Sequence, residues 1–213
     1  MIAIKKSKIP QVLADNAERW TSLYCTSQRD HVATKYNHPD IKQALRKETF
    51  DKCAYCESKV THIDHGDIEH ILPKSKRPDL CFEWSNLTFA CTKCNRPPGK
   101  GDYYNEDYPL INPYIDDPDK HFYAAWSSII IHAGDERAKI TEQILKLNRP
   151  ELVEKRLERI QYVELLLSAW RKLEPSHPGK NIAEGELHNE YKRDKEYSFA
   201  VRGYLMLQGF PVR

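Results

Sequence analysis

The sequence has no long apolar run. Its most hydrophobic short stretch, residues 128–131 with three consecutive isoleucines, is far shorter than the about 20 residues that a membrane-spanning helix needs. Residues 1–6 do not form the basic segment followed by an apolar segment that is typical of a secretory leader. These absences lead us to expect a cytoplasmic protein that makes no membrane contact.

Internal repeats, low-complexity tracts and a strong net charge are also missing. The formal net charge is only +2, so the overall charge gives no sign of nucleic-acid binding. Basic residues are instead clustered locally, where each one either pairs with phosphates or belongs to a solvated loop. They are Lys5, Lys6, Lys8, Lys74, Lys76, Arg77, Lys93, Arg96 and Lys100.

Four of the six cysteines form two Cys-x-x-Cys pairs, Cys53/Cys56 and Cys91/Cys94. Four thiolates at these spacings predict a closed tetrahedral zinc site, which is structural and not catalytic. Metal-type spacing also favours a reducing compartment over a disulfide framework. The two remaining cysteines, Cys25 and Cys81, are expected to be small buried hydrophobic residues.

The two cysteine pairs are separated by an unusually long insert. A plain zinc ribbon separates its two pairs by roughly 15–20 residues, whereas here the insert runs over residues 57–90. It contains Glu69 followed by His70, then Asn86, and the second pair leads directly into Asn95. Histidine has an unperturbed pKa near 6.5 and can take a proton from water, so His70 is the candidate general base of a phosphodiester hydrolysis.

The insert and its flanks resemble the HNH endonuclease superfamily. Within it, the chain looks most like the HNH subunit (PtuB) of Septu-type anti-phage systems, some of which accompany retrons. The segments that carry the resemblance are residues 53–56 (CAYC), 69–75 (EHILPKS), 84–87 (WSNL), 91–95 (CTKCN) and 99–101 (GKG), with 147–150 (LNRP) pointing to the Septu group. The resemblance implies a β-hairpin-plus-helix unit, often called ββα-metal.

The resemblance also implies roles for individual residues. Glu69 and Asn95 would bind one Mg²⁺ or Mn²⁺, which prefer such oxygen ligands. Asn86 would hold the hairpin loop through backbone hydrogen bonds and so orient His70. Cleavage would leave a 5′ phosphate and a 3′ hydroxyl, with DNA favoured over RNA. A PtuA-like ATPase subunit would be the partner, and any ATP dependence would come from it, because the chain lacks a P-loop motif.

Several alternatives remain at this level. Asp67 is a rival carboxylate ligand, and Tyr103 and Tyr104 either stack on bases or pack internally. His62 and His65, around Asp64, form either a polar loop or a second metal site. For the whole chain, the alternatives are a stand-alone restriction-type HNH nuclease and a non-catalytic zinc module that only binds nucleic acid.

The expected fold class is α+β and mainly helical, in three parts. Residues 1–49 form an N-terminal helical arm, 50–102 the zinc-stapled core, and 103–213 a mostly helical region that could bind a partner. Residues 10–36 and 39–50 are predicted helical, and Pro39 suits a first helical turn. In the core we predict a strand at 68–72 and a helix beginning near Ser85, with Ser85 as its N-cap.

Beyond the core, residues 121–132 are strand-like, and Asn148 is predicted to cap a long helix with Pro150 in its first turn. Gly179 and Gly185 are placed in a polar linker, and a last helix is expected over 194–207. Bulky apolar residues near the chain end predict an exposed patch that would mark the partner interface. They are Tyr197, Phe199, Tyr204, Leu205, Leu207 and Phe210.

Overall fold

The computed structural model describes residues 1–26, 29–60 and 65–212. The fold is α+β and mainly helical, which confirms the expected class. Short 3-10 helices lie at Lys35–Asn37, Pro78–Leu80, Trp84–Asn86 and Pro118–Lys120. The other elements are α1 Gln11–Ala14, α2 Ala17–Tyr24, α3 Arg29–Val32, α4 Pro39–Thr49, β1 Asp67–His70, β2 Leu87–Ala90, α5 Thr92–Asn95, β3 Phe122–Ala125, β4 Ser128–Ile131, α6 Glu136–Leu145, α7 Pro150–Lys172, α8 Pro178–Glu190 and α9 Ser198–Leu207.

Strands β1 and β2 form an antiparallel hairpin at the centre of the core. Glu69 pairs with Thr88, and His70 pairs with Leu87. The helix predicted from Ser85 is therefore wrong: a single 3-10 turn, in which the Glu83 carboxylate accepts from the Ser85 amide, leads directly into β2. All of β2 is buried: β1 pairs with one edge of it, and on the other edge the Phe89 carbonyl accepts from the Ala54 amide at 3.0 Å. Helix α5 then completes the hairpin-plus-helix unit.

Proline sets the start of two helices as the sequence predicts. Pro39 and Pro150 each occupy the first turn, where the missing N–H costs nothing. Asn148, however, is not the cap of α7, because the N-cap position belongs to Arg149. The Asn148 amide instead bonds the backbone N–H and carbonyl of Ile129, both at 2.8 Å. It thereby holds β4 against the start of α7.

The strand-like segment 121–132 forms a hairpin of β3 and β4, and its turn places Trp126 at φ 57°. The polar linker predicted around Gly179 and Gly185 is wrong, since both lie inside α8. That helix forms because Pro178 starts it, the His177 side chain accepts from the Gly179 amide, and Leu187 is buried. The last helix, α9, begins at Ser198, later than expected.

The buried residues form two apolar clusters. The larger joins the N-terminal helices to the hairpin and to the C-terminal region, as Leu13, Phe89 and Phe199 illustrate. The smaller joins α7, α8 and α9. Helix α9 approaches β3 so closely that a Cβ on Gly203 would lie 2.7 Å from the Ala124 Cβ.

The exposed C-terminal patch predicted from sequence is wrong. Five of its six residues are buried in these clusters, with exposed fractions of 6% or less, and only Leu207 faces solvent. The reason is that they pack on α7, α8 and the core instead of standing alone. The five are Tyr197, Phe199, Tyr204, Leu205 and Phe210.

The expected burial of Cys25 and Cys81 and the expected absence of a membrane-spanning helix can both be compared with the structure. Cys81 is fully buried as expected, whereas Cys25 is exposed at the end of α2, so its expected burial is wrong. Among the described residues, no helix combines the length and the apolar character that crossing a bilayer requires.

Candidate active site and metal centre

The four paired cysteines converge on one point. Their sulfur atoms all lie within 4.8 Å of one another, and the Cys56 and Cys91 sulfurs are 3.9 Å apart. In a tetrahedral zinc site with bonds of about 2.3 Å, the sulfurs are roughly 3.8 Å apart. All six cysteines are free of disulfides. The geometry and the donor chemistry therefore fit a metal ion held by four thiolates.

Positive charge surrounds this cysteine cluster. Burial and the neighbouring sulfurs raise the pKa of the Cys53 thiol well above its usual range, whereas hydrogen bonds from the other three thiols lower the pKa of Cys56 well below it. The Arg149 guanidinium lies 3.7 Å from the Cys94 sulfur. Burial lowers the pKa of Arg149, but the sulfurs of Cys94 and Cys56 outweigh burial and raise it. Arg156 is also buried nearby, and Cys56 helps to keep it charged against the cost of burial.

His70 ends strand β1 and is almost fully buried. Its Nε2 lies 2.9 Å from the Cys81 carbonyl oxygen, and its ring meets Tyr36 edge-on at 4.6 Å. A carbonyl only accepts, so Nε2 carries the proton and Nδ1 keeps its lone pair in the neutral ring. Burial lowers the pKa of His70 to about 4. The imidazole is therefore neutral at neutral pH and can accept a proton.

Glu69 points to the opposite face of the strand from His70, as alternation along β1 requires. Its carboxylate is buried and lies 2.6 Å from the Lys100 ammonium. The Tyr55 hydroxyl donates to the same Oε1 atom at 3.4 Å. Burial raises the pKa of Glu69 to about 7, although Lys100 and Tyr55 act to lower it. The Glu69 carboxylate thus offers oxygen atoms that suit a hard metal ion, but it already pairs with the Lys100 ammonium.

Asn86 anchors the loop that follows His70. Its Oδ1 accepts from the Leu72 amide at 2.8 Å, and its Nδ2 donates to the Leu72 carbonyl at 3.0 Å. A further bond to the Leu80 carbonyl, at 3.1 Å, joins this loop to the segment that precedes the Cys81 carbonyl. One side chain thus ties together the two backbone segments that hold the His70 ring.

Asn95, at the end of α5, is hydrogen-bonded to Asp67. Its Nδ2 donates to the Asp67 carboxylate at 2.8 Å, which leaves its Oδ1 as an oxygen donor. Asp67 also accepts two bonds from the Arg96 guanidinium. Among the residues that the structure describes, no hydrogen bond joins Asn95 to Glu69. The amide and the two carboxylates of β1 nevertheless offer the oxygen chemistry that Mg²⁺ prefers.

Other candidate residues are placed as follows. Tyr103 and Tyr104 are half-buried, and their hydroxyls bond the Tyr108 carbonyl and Glu106 respectively. His62 and Asp64 lie outside the described residues, and His65 is exposed. Within the described ranges, the four cysteines are the one group of three or more His, Cys, Asp or Glu side chains arranged to hold a metal.

The basic residues separate into solvated and buried ones. Lys5, Lys8, Lys76 and Lys93 are exposed, so pairing with phosphates and a solvated position both stay open for them. Lys6 is drawn into the fold, where it bonds Glu48 at 2.9 Å and lies over the Trp84 ring. Lys74 donates to the Tyr36 hydroxyl at 2.8 Å, beside the ring of His70. Arg77 pairs with Asp79.

Two residues at this site escape the sequence analysis. Lys100 was one of several lysines with no distinct role, yet it is among the most buried charged residues of the chain. Tyr55, between the first two cysteines, is fully buried with its hydroxyl on Glu69. Their signal in the sequence is weak: Lys100 lies between two glycines that follow a metal-type cysteine pair, and Tyr55 fills the interior of that motif.

The sequence of this region matches a known family. Residues 53–100 match the HNH endonuclease family, so the chain contains an HNH endonuclease domain, and the resemblance seen in its motifs is confirmed. The domain includes the cysteine cluster, strand β1, Asn86, Asn95 and Lys100.

The chain is also similar to individual proteins. It is 29% identical to Septu protein PtuB of Bacillus thuringiensis, over 78% of this chain and 60% of that protein. It is 28% identical to Septu protein PtuB of Bacillus mycoides strain KBAB4, over 61% of this chain and 54% of that protein. It is 31% identical to the Retron Vc95 putative HNH endonuclease of Vibrio cholerae serotype O1 biovar El Tor, over 60% of this chain and 65% of that protein. The chain thus spans less than two thirds of each relative.

Proposed function

We propose that the chain is a metal-dependent endonuclease that hydrolyses phosphodiesters, with DNA favoured over RNA. The observation that carries the proposal is the protonation and orientation of the His70 ring within an HNH domain. The Cys81 carbonyl fixes the Nε2 proton of the ring, and the neutral Nδ1 is left as the acceptor. A buried, oriented and unprotonated imidazole is the arrangement that a general base needs.

In this mechanism, His70 Nδ1 takes a proton from a water molecule whose oxygen attacks phosphorus. The bond from phosphorus to the 3′ oxygen breaks, and that oxygen takes a proton from a solvent water molecule, which leaves a 5′ phosphate and a 3′ hydroxyl. Asn86 keeps the loops around the His70 ring in place through its three backbone bonds. Glu69 and Asn95 would hold Mg²⁺ or Mn²⁺. When bound, that ion would neutralise charge on the phosphate and on the departing oxygen.

The four cysteines would hold zinc in a structural role. The ion would have no open position for substrate, because four protein ligands complete its preferred tetrahedron. Instead it would fasten the loop before β1 to the start of α5, the two segments that flank the hairpin. The cluster of free, converging sulfurs and the two nearby arginines support this assignment.

The relatives named Septu protein PtuB support a more specific role. We propose that the chain is the nuclease subunit of a cytoplasmic anti-phage complex, in which a PtuA-like ATPase subunit supplies the nucleotide hydrolysis. This chain would then cleave the nucleic acid, and its partner would regulate that cleavage.

The test of the nuclease proposal is His70→Ala. The variant should fold, keep its zinc and lose cleavage by roughly 10²–10⁴-fold, since a general base contributes about that much. Single-turnover cleavage of labelled DNA, in the presence of the ATPase subunit, measures the loss. His132→Ala is the matched control, because His132 is an exposed histidine outside the HNH domain that follows β4 and bonds the Asp119 carbonyl. Equal rates for His70→Ala and the control would refute the assignment of the base.

A further inference from the structure

Lys100 is a buried cation at the centre of the candidate active site. The exposed fractions of the Lys100 and Glu69 side chains are 2% and 5%, and their charged atoms lie 2.6 Å apart. The same ammonium donates to the His70 carbonyl oxygen at 2.8 Å. One lysine therefore contacts both the residue proposed to bind metal and the residue proposed to act as base.

The loop that carries Lys100 is built to return it to β1. After α5 ends, the Lys100 amide donates to the Cys94 carbonyl at 2.8 Å, and the Gly101 amide donates to the Asn95 carbonyl at 2.7 Å. These bonds fold the loop back over the helix and hold Lys100 against the hairpin. Its burial is therefore fixed by backbone contacts and does not depend on the ion pair alone.

A divalent ion on Glu69 would have to compete with this ammonium. Mg²⁺ binds carboxylate oxygen at about 2.0–2.1 Å, so an ion on the Glu69 carboxylate would lie within about 4–5 Å of a lysine held as it is here. At such a distance, in a poorly solvated site, the repulsion between like charges is large compared with thermal energy. The ion and the ammonium cannot both take their best positions on the same carboxylate.

We propose that Lys100 is a built-in counter-cation of Glu69, which a divalent metal must displace before the site is ready for chemistry. Lys100 is a positioning residue: it keeps the buried carboxylate paired when no metal is bound, and it weakens metal binding by the cost of moving aside. The bond to the His70 carbonyl keeps the displaced ammonium near the reaction centre. This inference rests on the proposed function, since it takes Glu69 as a metal ligand.

The experiment compares Mn²⁺ affinity, measured by electron paramagnetic resonance, in zinc-loaded wild type, Lys100→Gln and Lys93→Gln. Glutamine keeps a donor for the Glu69 carboxylate but removes the charge. Lys93 is the matched control because it is an exposed lysine within the second cysteine pair, which also precedes Lys100, and because its replacement changes the net charge by the same amount. Lys100→Gln should bind Mn²⁺ at least about tenfold more tightly, because one nearby like charge is gone. Lys93→Gln should bind like wild type.

A merely structural role for Lys100 predicts the opposite result. Unchanged or weaker Mn²⁺ binding by folded Lys100→Gln would overturn the proposal while leaving the nuclease assignment intact, since His70→Ala tests that separately. Glu69→Gln should bind Mn²⁺ weakly; if it binds like wild type, Glu69 is not a ligand and the Lys100 proposal fails with it.

Wild-type protein provides a second measurement if Lys100→Gln does not fold. With ¹⁵N-labelled lysine, the buried Lys100 ammonium should give a resonance that is protected from exchange without metal. Added Mg²⁺ should shift that resonance or remove its protection. A Lys100 signal that stays unchanged while Mg²⁺ binds would overturn the proposal.

Discussion

At Gly99 the backbone passes so close to α5 that no side chain fits. A Cβ there would lie 2.4 Å from the Lys93 carbonyl oxygen and 2.7 Å from that of Cys94. Both neighbours are backbone atoms of α5, which follows Cys91, contains Cys94 and ends at Asn95, so they cannot move without disturbing the cysteine cluster. Glycine at this position is what allows the next residue, Lys100, to reach Glu69.

Gly99→Ala should therefore destabilise the protein by about 1–3 kcal/mol, the usual cost of forcing an extra group into a packed region. Gly185→Ala is the matched control, because a Cβ there meets nothing within 4 Å and the residue lies inside α8. Alanine in a helix is better than glycine by roughly 0.5–1 kcal/mol. Denaturant unfolding of both variants measures the difference, and a Gly99→Ala variant as stable as Gly185→Ala would contradict the close approach.

At the residue scale, the sequence predicts a feature well when the type of residue by itself indicates what that residue does. The spacing of the cysteines predicts their convergence, and the chemistry of the imidazole makes His70 the candidate base. The sequence does not reveal the pairing of Lys100 with Glu69, because 30 intervening residues must first fold into a hairpin and a returning loop. The roles of His70, Glu69, Asn86 and Asn95 stay predictions.

Helix α7 supplies the cations of the cysteine cluster from its first two turns. Arg149, at its N-cap, contacts the Cys94 sulfur, and Arg156 lies seven positions further on, on the same helical face. The Arg156 guanidinium is buried and donates to the Ser127 carbonyl in the β3–β4 turn at 3.2 Å. Four thiolates around a divalent metal carry a net charge of −2, which these two arginines would neutralise.

Arg149→Met should therefore release zinc faster. Partners in the outer shell of a metal site typically change metal affinity by about 10–100-fold, and we expect a change in that range. Transfer of zinc to a coloured chelator, followed by absorbance, gives the rate. Arg171→Met is the matched control because Arg171 lies near the other end of α7 and bonds Gln208. Equal release rates in the two variants would show that Arg149 does not stabilise the cluster.

Pro39 and Pro150 mark two helix starts, those of α4 and α7, that the sequence predicts correctly, because proline suits the first helical turn locally. Pro178 starts α8 in the same way, but the sequence analysis places that segment in a linker because of its two glycines. Ser85 resembles a helix N-cap equally well, but the segment after it pairs with β1 and becomes a strand. Gly179 and Gly185 resemble linker residues, but α8 tolerates them because its cap and its buried Leu187 outweigh their low helix propensity.

At the scale of the whole molecule, the C-terminal helix completes the core of the HNH domain. The Glu57 carboxylate, next to the cysteine cluster, accepts from the Ser198 hydroxyl at 2.9 Å and from the Phe199 amide at 3.3 Å. The Ser58 and Tyr197 hydroxyls are hydrogen-bonded at 2.9 Å. Removing the C-terminal region would therefore leave buried polar groups without partners and expose the apolar core.

Co-expression with a PtuA-like ATPase subunit should give a complex with the full chain. A chain truncated before Lys192 should be insoluble with or without that partner, because each buried aromatic residue that is lost costs about 3–5 kcal/mol. Met206→Ala, at a residue that is 61% exposed on α9, is the control and should remain soluble. Affinity purification and circular dichroism measure the outcome. A soluble truncated chain with a native spectrum would contradict the role given to α9.

The burial of the apolar residues near the chain end has a simple physical cause. Their type and number are visible in the sequence, but a sequence does not say what lies opposite an apolar face. Residues of α7 and α8 share a cluster with Tyr204 and Phe210, and Trp126 of the β3–β4 turn meets the Tyr204 ring at 5.3 Å, so these neighbours come from segments distant along the chain.

The exposed thiol of Cys25 makes this chain convenient to label. When zinc engages the four thiolates of the cluster, Cys81 is fully buried and Cys25 is left accessible, so a maleimide reagent should attach at Cys25 without any engineered cysteine. Cys25 directly follows α2, whose Trp20 and Tyr24 rings pack on Phe82, next to the carbonyl that holds the His70 ring. A nitroxide at Cys25 would thus allow the distance between a paramagnetic ion in the active site and the surface of α2 to be measured.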